Sequence, residues 1–451
     1  MKKTIQALQA FSIPLIAGVI LAMIWANVGP ESYSAFIHTP LHKMGSLFSQ
    51  VAHVGAADHG GWEHYLTLPF LVNDIFMALF FGIAAKEITE ACLPNGALNP
   101  VSKAVNPLFG TVGGVVGPIC VFLGLNALVG QQDWIKGWGV PTATDIALAW
   151  LVIRFLFGAR HPAVSFLLLL AVADDAIGLG IIAIGYPDPL HPTQWMNLLW
   201  CVPGMAFAWG LRRANVQNWV PYILVGGTLC WWGLYSAHLH PALALVFVVP
   251  FLPGPKRDLG LFVDEVDDSV DHHHSPLENF EHSLKLAVDC GLFFFALVNA
   301  GVSFGEINGL SWLIVTALIV GKVVGIVGFS SVAIRLGFPL PAGMSFRHLV
   351  VTSCVAGLGL TVALFVCGQA FVDPSLQAAA KMGAVFSVAA AVIAFAMKAL
   401  LGVSGDLAPQ VEAEVKSSVR PEDQALAALK AAQAAVNEAL EATRSNNAPA
   451  R

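Results

Sequence analysis

The sequence predicts an all-α protein that crosses a membrane many times. Only 12% of its 451 residues are charged, about half of the 25% that is typical of soluble domains, and the mean hydropathy is +0.70. Apolar stretches of about 18 or more residues, long enough to cross a bilayer, recur from residue 11 to residue 403. The sequence lacks the short alternating segments of a transmembrane barrel, so we expect about twelve transmembrane helices.

The positions of lysine and arginine predict the orientation of these spans. With the N-terminal MKK placed inside, the loops on that side carry nearly all of the basic residues, and the opposite loops hold only Lys43 and Lys136. Because basic residues concentrate in cytoplasmic loops, both termini are expected in the cytoplasm. The predicted spans are 11–28, 69–90, 105–127, 139–157, 163–186, 195–211, 218–236, 239–252, 284–304, 310–334, 349–371 and 380–403.

Several polar regions accompany the predicted transmembrane domain of residues 11–403. Residues 1–10 form a short cytoplasmic N-terminus, residues 29–68 a long outer loop, and residues 253–283 a polar inner loop. Residues 404–451 form a soluble cytoplasmic tail that is predicted to contain a short amphipathic helix. The net charge of −6 reflects acidic residues outside the spans. No basic stripe is present, so membrane lipids rather than nucleic acid are the expected surroundings.

Four charged residues fall near the middle of predicted spans, where a charge is costly. Asp145, Asp174, Asp175 and Lys322 each lie in an apolar stretch, and a charge at the bilayer centre costs at least about 2.5–3.5 kcal/mol. A buried ion pair that only fixes helix packing would explain one acid and the lysine, and would leave two acids unpaired. Intramembrane charges usually mark ion or proton pathways, which indicates a transporter.

The adjacent acids Asp174 and Asp175 predict a division of roles. Successive helix residues point about 100° apart, so one carboxylate can face a cation while the other faces Lys322 or a neighbouring helix. Burial favours the neutral forms of carboxylates and lysines, so such groups can exchange protons near physiological pH. Carboxylate oxygens are also the ligands that hard cations prefer. A site that holds either a cation or protons on the same acids couples the two fluxes by competition, as an antiporter does.

Two interruptions of helical sequence lie in well-separated parts of the chain. A proline and two threonines precede Asp145 in GVPTATDIALAW, and Gly357 and Gly359 interrupt SCVAGLGLTVALF. Paired broken helices indicate an inverted-repeat transporter with its site at the bilayer midplane. Unwound backbone supplies carbonyl oxygens there, and the helix ends carry partial charges that Asp145 or Lys322 could neutralise.

These elements make the chain resemble the NhaA family of sodium/proton antiporters over about residues 10 to 403. The matching stretches are VNDIFMALFF, VPTATDIA, LLAVADDAIG, SAHLHPALA, EHSLK, NAGVS, GKVVGI and AGLGLTVALF. The resemblance implies a twelve-helix fold with two inverted three-helix repeats and two broken helices that cross beside the ion site. It implies electrogenic exchange of Na⁺ or Li⁺ for H⁺ without a cofactor, in the bacterial cytoplasmic (inner) membrane, with a role in pH homeostasis. It also implies a homodimer formed through the outer loop 29–68.

The resemblance assigns roles to individual positions at the centre of the protein. Asp145 and Asp175 match the acids that exchange the transported cation, Na⁺, and protons. Asp174 matches the acid that pairs with Lys322. Thr144 lies in the first broken segment beside the site, and the backbone of Gly357 and Gly359 forms the second.

Three further positions are assigned away from this centre. Asp74 matches an acid that lines the cytoplasmic entry, Glu87 a position linked to the pH response, and His240 a histidine near the outer end of a helix. The stretch KEITEAC departs from the family pattern, because Lys86 is displaced, Glu90 occupies a basic position and an alanine replaces a second glutamate. A pH profile is therefore not carried over.

Several alternatives stay open at this level. Sodium-coupled symport of a small anion on a related fold would need an anion site beyond Lys322, and the spans offer none. An intramembrane aspartyl protease needs two acids on separate helices that share one proton, and its G-x-G-D context is missing, so an enzyme is not expected. The cluster His272–His274 could bind a metal or sense pH, although a solvated loop is the simpler interpretation. The Asp174–Lys322 pair could carry a proton or only stabilise one conformation, and selectivity among Na⁺, Li⁺ and K⁺ is undetermined.

Overall fold

The structure is a computed structural model that describes residues 13–39, 67–93, 101–129, 131–159, 161–186, 192–254 and 275–403. Over these ranges the chain is helical and contains no β-strand. The α-helices are α1 (Ile13–Val28), α2 (Pro30–His38), α3 (Leu68–Ala91), α4 (Val101–Val129), α5 (Ile146–Phe157), α6 (Pro162–Gly185), α7 (Cys201–Arg213), α8 (Thr228–Ser236), α9 (Pro276–Asn299), α10 (Gly309–Arg335), α11 (Phe346–Ala356), α12 (Thr361–Ala370), α13 (Pro374–Phe386) and α14 (Ala389–Leu401).

Shorter helical turns complete these elements. The 3₁₀ helices are Gln132–Thr142, Trp195–Trp200, Pro241–Phe247, Val249–Phe251 and Phe304–Glu306. The π-helical turns are Leu71–Phe76 within α3, Tyr222–Gly227 before α8, and Ala317–Gly321 within α10.

Five helical spans of the described residues are long and apolar enough to cross a membrane: α3, α4, α6, α10, and α13 with α14, which a two-residue turn separates. Two further spans arise if each of two bent pairs is counted as one. The 3₁₀ helix Gln132–Thr142 and α5 meet at 56°, and α11 and α12 meet at 50°. The chain is therefore a helical membrane protein with five to seven such spans over the described residues, and both interruptions expected from the sequence are present.

Helices α4 and α10 pack closely because glycines line their contact. A Cβ on Gly113 would collide with the carbonyl oxygen of Gly325, and a Cβ on Gly117 would collide with that of Gly321. Small residues of this kind let two backbones approach each other within a membrane. The stem of Lys322 lies in this contact, 3.7 Å from the position of a Cβ on Gly114. The packing therefore fixes the backbone that carries the intramembrane lysine.

Some helix boundaries differ from those predicted. Helix α9 begins at Pro276 because Ser275 and Glu278 form a capping box, so part of the predicted inner loop is helical. Helix α2 occupies residues 30–38 of the predicted outer loop. The predicted span 239–252 consists of two 3₁₀ helices, and each begins at or beside a proline. Residues 1–10, most of the outer loop, the cluster His272–His274 and the tail lie outside the described residues.

Candidate functional site

The two helix interruptions contact each other directly. The backbone N–H of Asp145 donates to the carbonyl oxygen of Leu358 at 2.6 Å. Residues 143–145 between the two helices are not helical, and Ala143 and Asp145 have extended backbone, so the N–H of Asp145 is available to pair outside its own helix. Four helix ends therefore meet at one place: those of the first 3₁₀ helix, α5, α11 and α12.

Asp145 links the N-terminal ends of two of these helices. It is the N-cap residue of α5, and its Oδ1 accepts a hydrogen bond from the N–H of Leu148 at 3.1 Å. Its Oδ2 accepts from the N–H of Thr361 at 3.1 Å and also from the Thr361 hydroxyl. Helix N-termini carry a partial positive charge, so both ends stabilise a negative carboxylate at this buried position.

Lys322 lies at the opposite kind of helix end. Its Nζ donates to the carbonyl oxygen of Thr142, the last residue of the first 3₁₀ helix, at 2.5 Å. The same Nζ is 2.5 Å from Oδ2 of Asp174, and both side chains are fully buried. The ammonium group thus neutralises both a carboxylate and the negative end of a half-helix.

Asp174 is hydrogen-bonded through only one of its two oxygens. Besides the contact with Lys322, Oδ2 accepts from the hydroxyl of Thr144 at 2.7 Å. The Thr144 oxygen also lies 3.0 Å from the carbonyl oxygen of Ala356, at the end of α11. The second oxygen, Oδ1, is buried and has no hydrogen-bond partner among the described residues. Asp174 therefore ties α6 to both interruptions and to α10.

Asp175 faces a different environment from its neighbour. It lines a small cavity together with Phe81, Ala84, Leu179 and Val362. Its Oδ1 is buried and has no hydrogen-bond donor within the described part of the chain. Asp174 also has such an oxygen, but its other oxygen is paired with Lys322, whereas Asp175 borders the cavity. Because a buried oxygen without a partner is costly, Asp175 is the better placed of the two to receive a proton or a cation.

The glycines of the second interruption allow the close crossing. A Cβ on Gly359 would lie 2.7 Å from the carbonyl oxygen of Ala143 and 2.7 Å from a side-chain carbon of Leu318. A Cβ on Gly357 would lie 3.3 Å from the Cα of Ile319. A side chain at Gly359 would therefore push the two broken segments and α10 apart, and one at Gly357 would make a tight contact with α10.

The three remaining predicted residues lie in other elements: Asp74 and Glu87 in α3, and His240 at the start of the 3₁₀ helix Pro241–Phe247. Asp74 lies in the π-helical turn of α3, where its carbonyl oxygen accepts from Trp231 at 3.4 Å. His240 caps the 3₁₀ helix Pro241–Phe247, and its ring packs on Phe365 of α12 at 4.6 Å. Phe365 in turn packs on the cavity residue Phe81 at 5.2 Å. The rings of Phe365 and Phe81 therefore lie in contact between His240 and the Asp175 cavity.

Glu87 belongs to a cluster around a buried lysine. Nζ of Lys86 lies 3.3 Å from Glu87, 2.7 Å from Glu90 and 2.5 Å from Glu281 of α9. The unusual Glu90 is thus one of three carboxylates that compensate Lys86. Glu87 follows the cavity residue Ala84 by three residues, which is close to one helical turn.

Sequence reasoning missed two residues that complete the crossing. Thr361 gives both a backbone and a side-chain donor to Asp145, and Ser387 accepts the N–H of Gly359 at 3.2 Å. Thr361 follows two glycines and begins a helix, and this pattern could have predicted a residue that donates hydrogen bonds at a helix start. Ser387 has no such signal, because a single serine in an apolar stretch is common.

Comparison with known proteins shows similarity along most of the chain. A family model described as Na⁺/H⁺ antiporter 1 matches residues 2–398. The chain is 55% identical over 403 residues to a Na⁺/H⁺ antiporter NhaA of Desulfitobacterium hafniense, which covers 89% of this chain and 97% of that protein. It is 56% identical over 403 residues to Na⁺/H⁺ antiporter NhaA 2 of Pelobacter propionicus, covering 89% and 99% respectively. A Na⁺/H⁺ antiporter NhaA of Geobacter metallireducens is 55% identical over 404 residues, with the same coverage of 89% and 99%.

Proposed function

This chain belongs to the Na⁺/H⁺ antiporter 1 family, and from that membership we propose that it is a secondary antiporter that exchanges Na⁺, or Li⁺, for H⁺. The single observation that carries this proposal is the arrangement at the crossing. Asp145 joins the N-terminal ends of α5 and α12 there through its hydrogen bonds, and Asp175 borders a cavity and has a buried oxygen without a partner in the described residues. The protein is a transporter, and it needs no cofactor for this exchange.

The exchange follows from competition for these two acids. Open to the cytoplasm, Asp145 and Asp175 release protons and bind one cation between them, because carboxylate oxygens suit a hard cation. Open to the outside, they release the cation and take up protons again. Two protons neutralise the two acids and one cation removes half of their negative charge, so the site does not carry its full negative charge while it moves. Two protons exchanged for one monovalent cation make each cycle electrogenic.

The finer architecture is part of the same proposal. We infer about twelve transmembrane helices with two inverted repeats, the bacterial inner membrane as the location, and both termini in the cytoplasm. The two bent helix pairs support the inverted repeats. A homodimer through the outer loop 29–68 and a role in pH homeostasis are carried over from the family resemblance. Asp74, Glu87 and His240 are proposed to line the entry and to tune the pH response.

Symport of a small anion is the less favoured function. It would require a cationic group free to meet the anion at the crossing. The ammonium of Lys322 is already bonded to Asp174 and to the Thr142 carbonyl. An anion would have to displace one of them.

Transport by purified protein in proteoliposomes tests the proposal. Asp175→Asn and Asp145→Asn should each abolish proton movement driven by a Na⁺ gradient, because each removes a charged ligand. Asp133→Asn is a matched control, since Asp133 is exposed at the start of the first 3₁₀ helix. Normal exchange by both central variants would refute the assignment. Uptake of an anion that requires Na⁺ but moves no protons would favour the symporter instead.

A further inference from the structure

Ser387 lies at a second, smaller irregularity beside the crossing. It is fully buried and occupies the two-residue turn between α13 and α14. Its backbone N–H donates to Ala384 and its carbonyl oxygen accepts from Ala390, both three residues away. Its side-chain oxygen accepts the N–H of Gly359 at 3.2 Å. A helix that the sequence predicts to be continuous thus turns at the residue that contacts the unwound segment.

The unwound segment between α11 and α12, residues 357–360, and the first residue of α12 form hydrogen bonds with Asp145 and with Ser387. The carbonyl oxygen of Leu358 accepts from Asp145, the N–H of Gly359 donates to Ser387, and the N–H of Thr361 donates to Asp145. An unpaired buried N–H is costly, and the serine oxygen supplies a partner that the broken helix cannot. Gly359 is buried and passes close to the Ala143 carbonyl oxygen, so the segment has little room to find another.

We propose that Ser387 is a positioning residue of the cation site. It fixes the peptide at Gly359 so that both donors of Thr361 reach the Asp145 carboxylate. Those donors favour the charged, cation-binding form of a carboxylate over its protonated form. The inference rests on the proposed function, since it assigns Asp145 to the transported cation.

Three variants of the full chain test this role. Ser387→Ala removes the acceptor with little change in volume, and Ser387→Thr restores it. Ser353→Ala is the matched control, because Ser353 is equally buried but its hydroxyl donates to Leu349 within its own helix. Each protein is reconstituted, and Na⁺-dependent proton exchange is measured over a pH series for the apparent KM and the maximal rate. The rise in unfolding temperature with added Na⁺ is measured in detergent as a readout of binding that needs no transport.

Ser387→Ala should raise the apparent KM for Na⁺ about fivefold, the equivalent of one hydrogen bond. The acid limb of the activity profile should move to higher pH, because protons then compete more effectively with the cation. Ser387→Thr should recover the unmodified behaviour, and Ser353→Ala should keep it. A KM and pH profile unchanged in Ser387→Ala would overturn the inference, as would equal impairment of the alanine and threonine variants. If the unmodified protein exchanged no protons, the proposed function would fail, while Na⁺-dependent stabilisation would still decide the role of Ser387.

Discussion

Replacing Lys322 by methionine isolates the buried ion pair with Asp174. Methionine keeps most of the stem that packs between α4 and α10 but removes the ammonium. The two side chains are fully buried, and removing one partner of such a pair costs about 3–5 kcal/mol. The Thr142 carbonyl oxygen also loses its donor. Thr144 still donates to Asp174, so we expect the free energy of unfolding to fall by about 3 kcal/mol, the lower end of this range.

The measurement is unfolding in detergent, by heat or by denaturant, at two pH values. Uptake of a proton by the orphaned carboxylate relieves the loss, so the deficit of Lys322→Met should be smaller at about pH 5 than at about pH 8. The double variant Asp174→Asn/Lys322→Met should be more stable than Lys322→Met alone, because no unpaired carboxylate remains. Lys136→Met replaces an exposed lysine and should change stability by less than about 0.5 kcal/mol.

Two results would refute this reasoning: Lys322→Met as stable as the unmodified protein at about pH 8, or a double variant less stable than either single variant. Transport by Lys322→Met separates the two roles of the pair. Exchange that continues with less charge moved per cation would make Lys322 a proton carrier. Exchange with unchanged charge movement and lost stability would make it structural.

Two further perturbations probe the close crossing and the helix end at His161. Gly359→Ala should lower the free energy of unfolding by about 1–3 kcal/mol and abolish exchange in proteoliposomes, because its Cβ would meet the Ala143 carbonyl oxygen. Gly368→Ala, with open space around its Cβ, should change neither stability nor exchange. Burial and the neighbouring His348 ring lower the pKa of His161 to about 4. Stability should therefore decrease as the pH falls from about 6.5 towards about 4, where the unfolded chain binds a proton that folded His161 does not. His161→Asn, which keeps an N-cap acceptor, should flatten that decrease in the unfolding temperature, and an unchanged slope would show that His161 is not its source.

The sequence located the central acids because a charge in an apolar span is costly and therefore rare. Asp145, Asp174, Asp175 and Lys322 stand out on that ground alone. The contact of Asp174 with Lys322 was expected from the family resemblance, because helix geometry shows only that adjacent acids point in different directions. The interruptions were visible for a different reason, because proline and paired glycines disfavour continuous helix.

The remaining parts of the site could not be read from the sequence. The carbonyl oxygens of Thr142 and Leu358 belong to the backbone, and every residue carries one. A serine such as Ser387 costs little free energy in a membrane helix, so the sequence does not mark it as functional. Its role is visible only from its contact with Gly359 in the structure. Helix ends were misplaced where a cap decides them, as at Ser275 before α9. Local hydrogen bonds, rather than hydropathy, set these features.

The charges at the crossing favour the exchange that we propose. Two helix N-termini, at Ile146 and Thr361, and two C-termini, at Thr142 and Ala356, each contribute roughly half a charge, and their contributions cancel. The side chains do not cancel when all are ionised, because three carboxylates (Asp145, Asp174 and Asp175) accompany one lysine, Lys322, which is paired with Asp174, and an excess of two negative charges remains. Two protons neutralise this excess, and one sodium ion removes half of it. Because buried charge opposes movement of the site, either two protons or one sodium ion can accompany that movement. The two bound states differ by one unit of charge, and this is the charge that each cycle carries across the membrane.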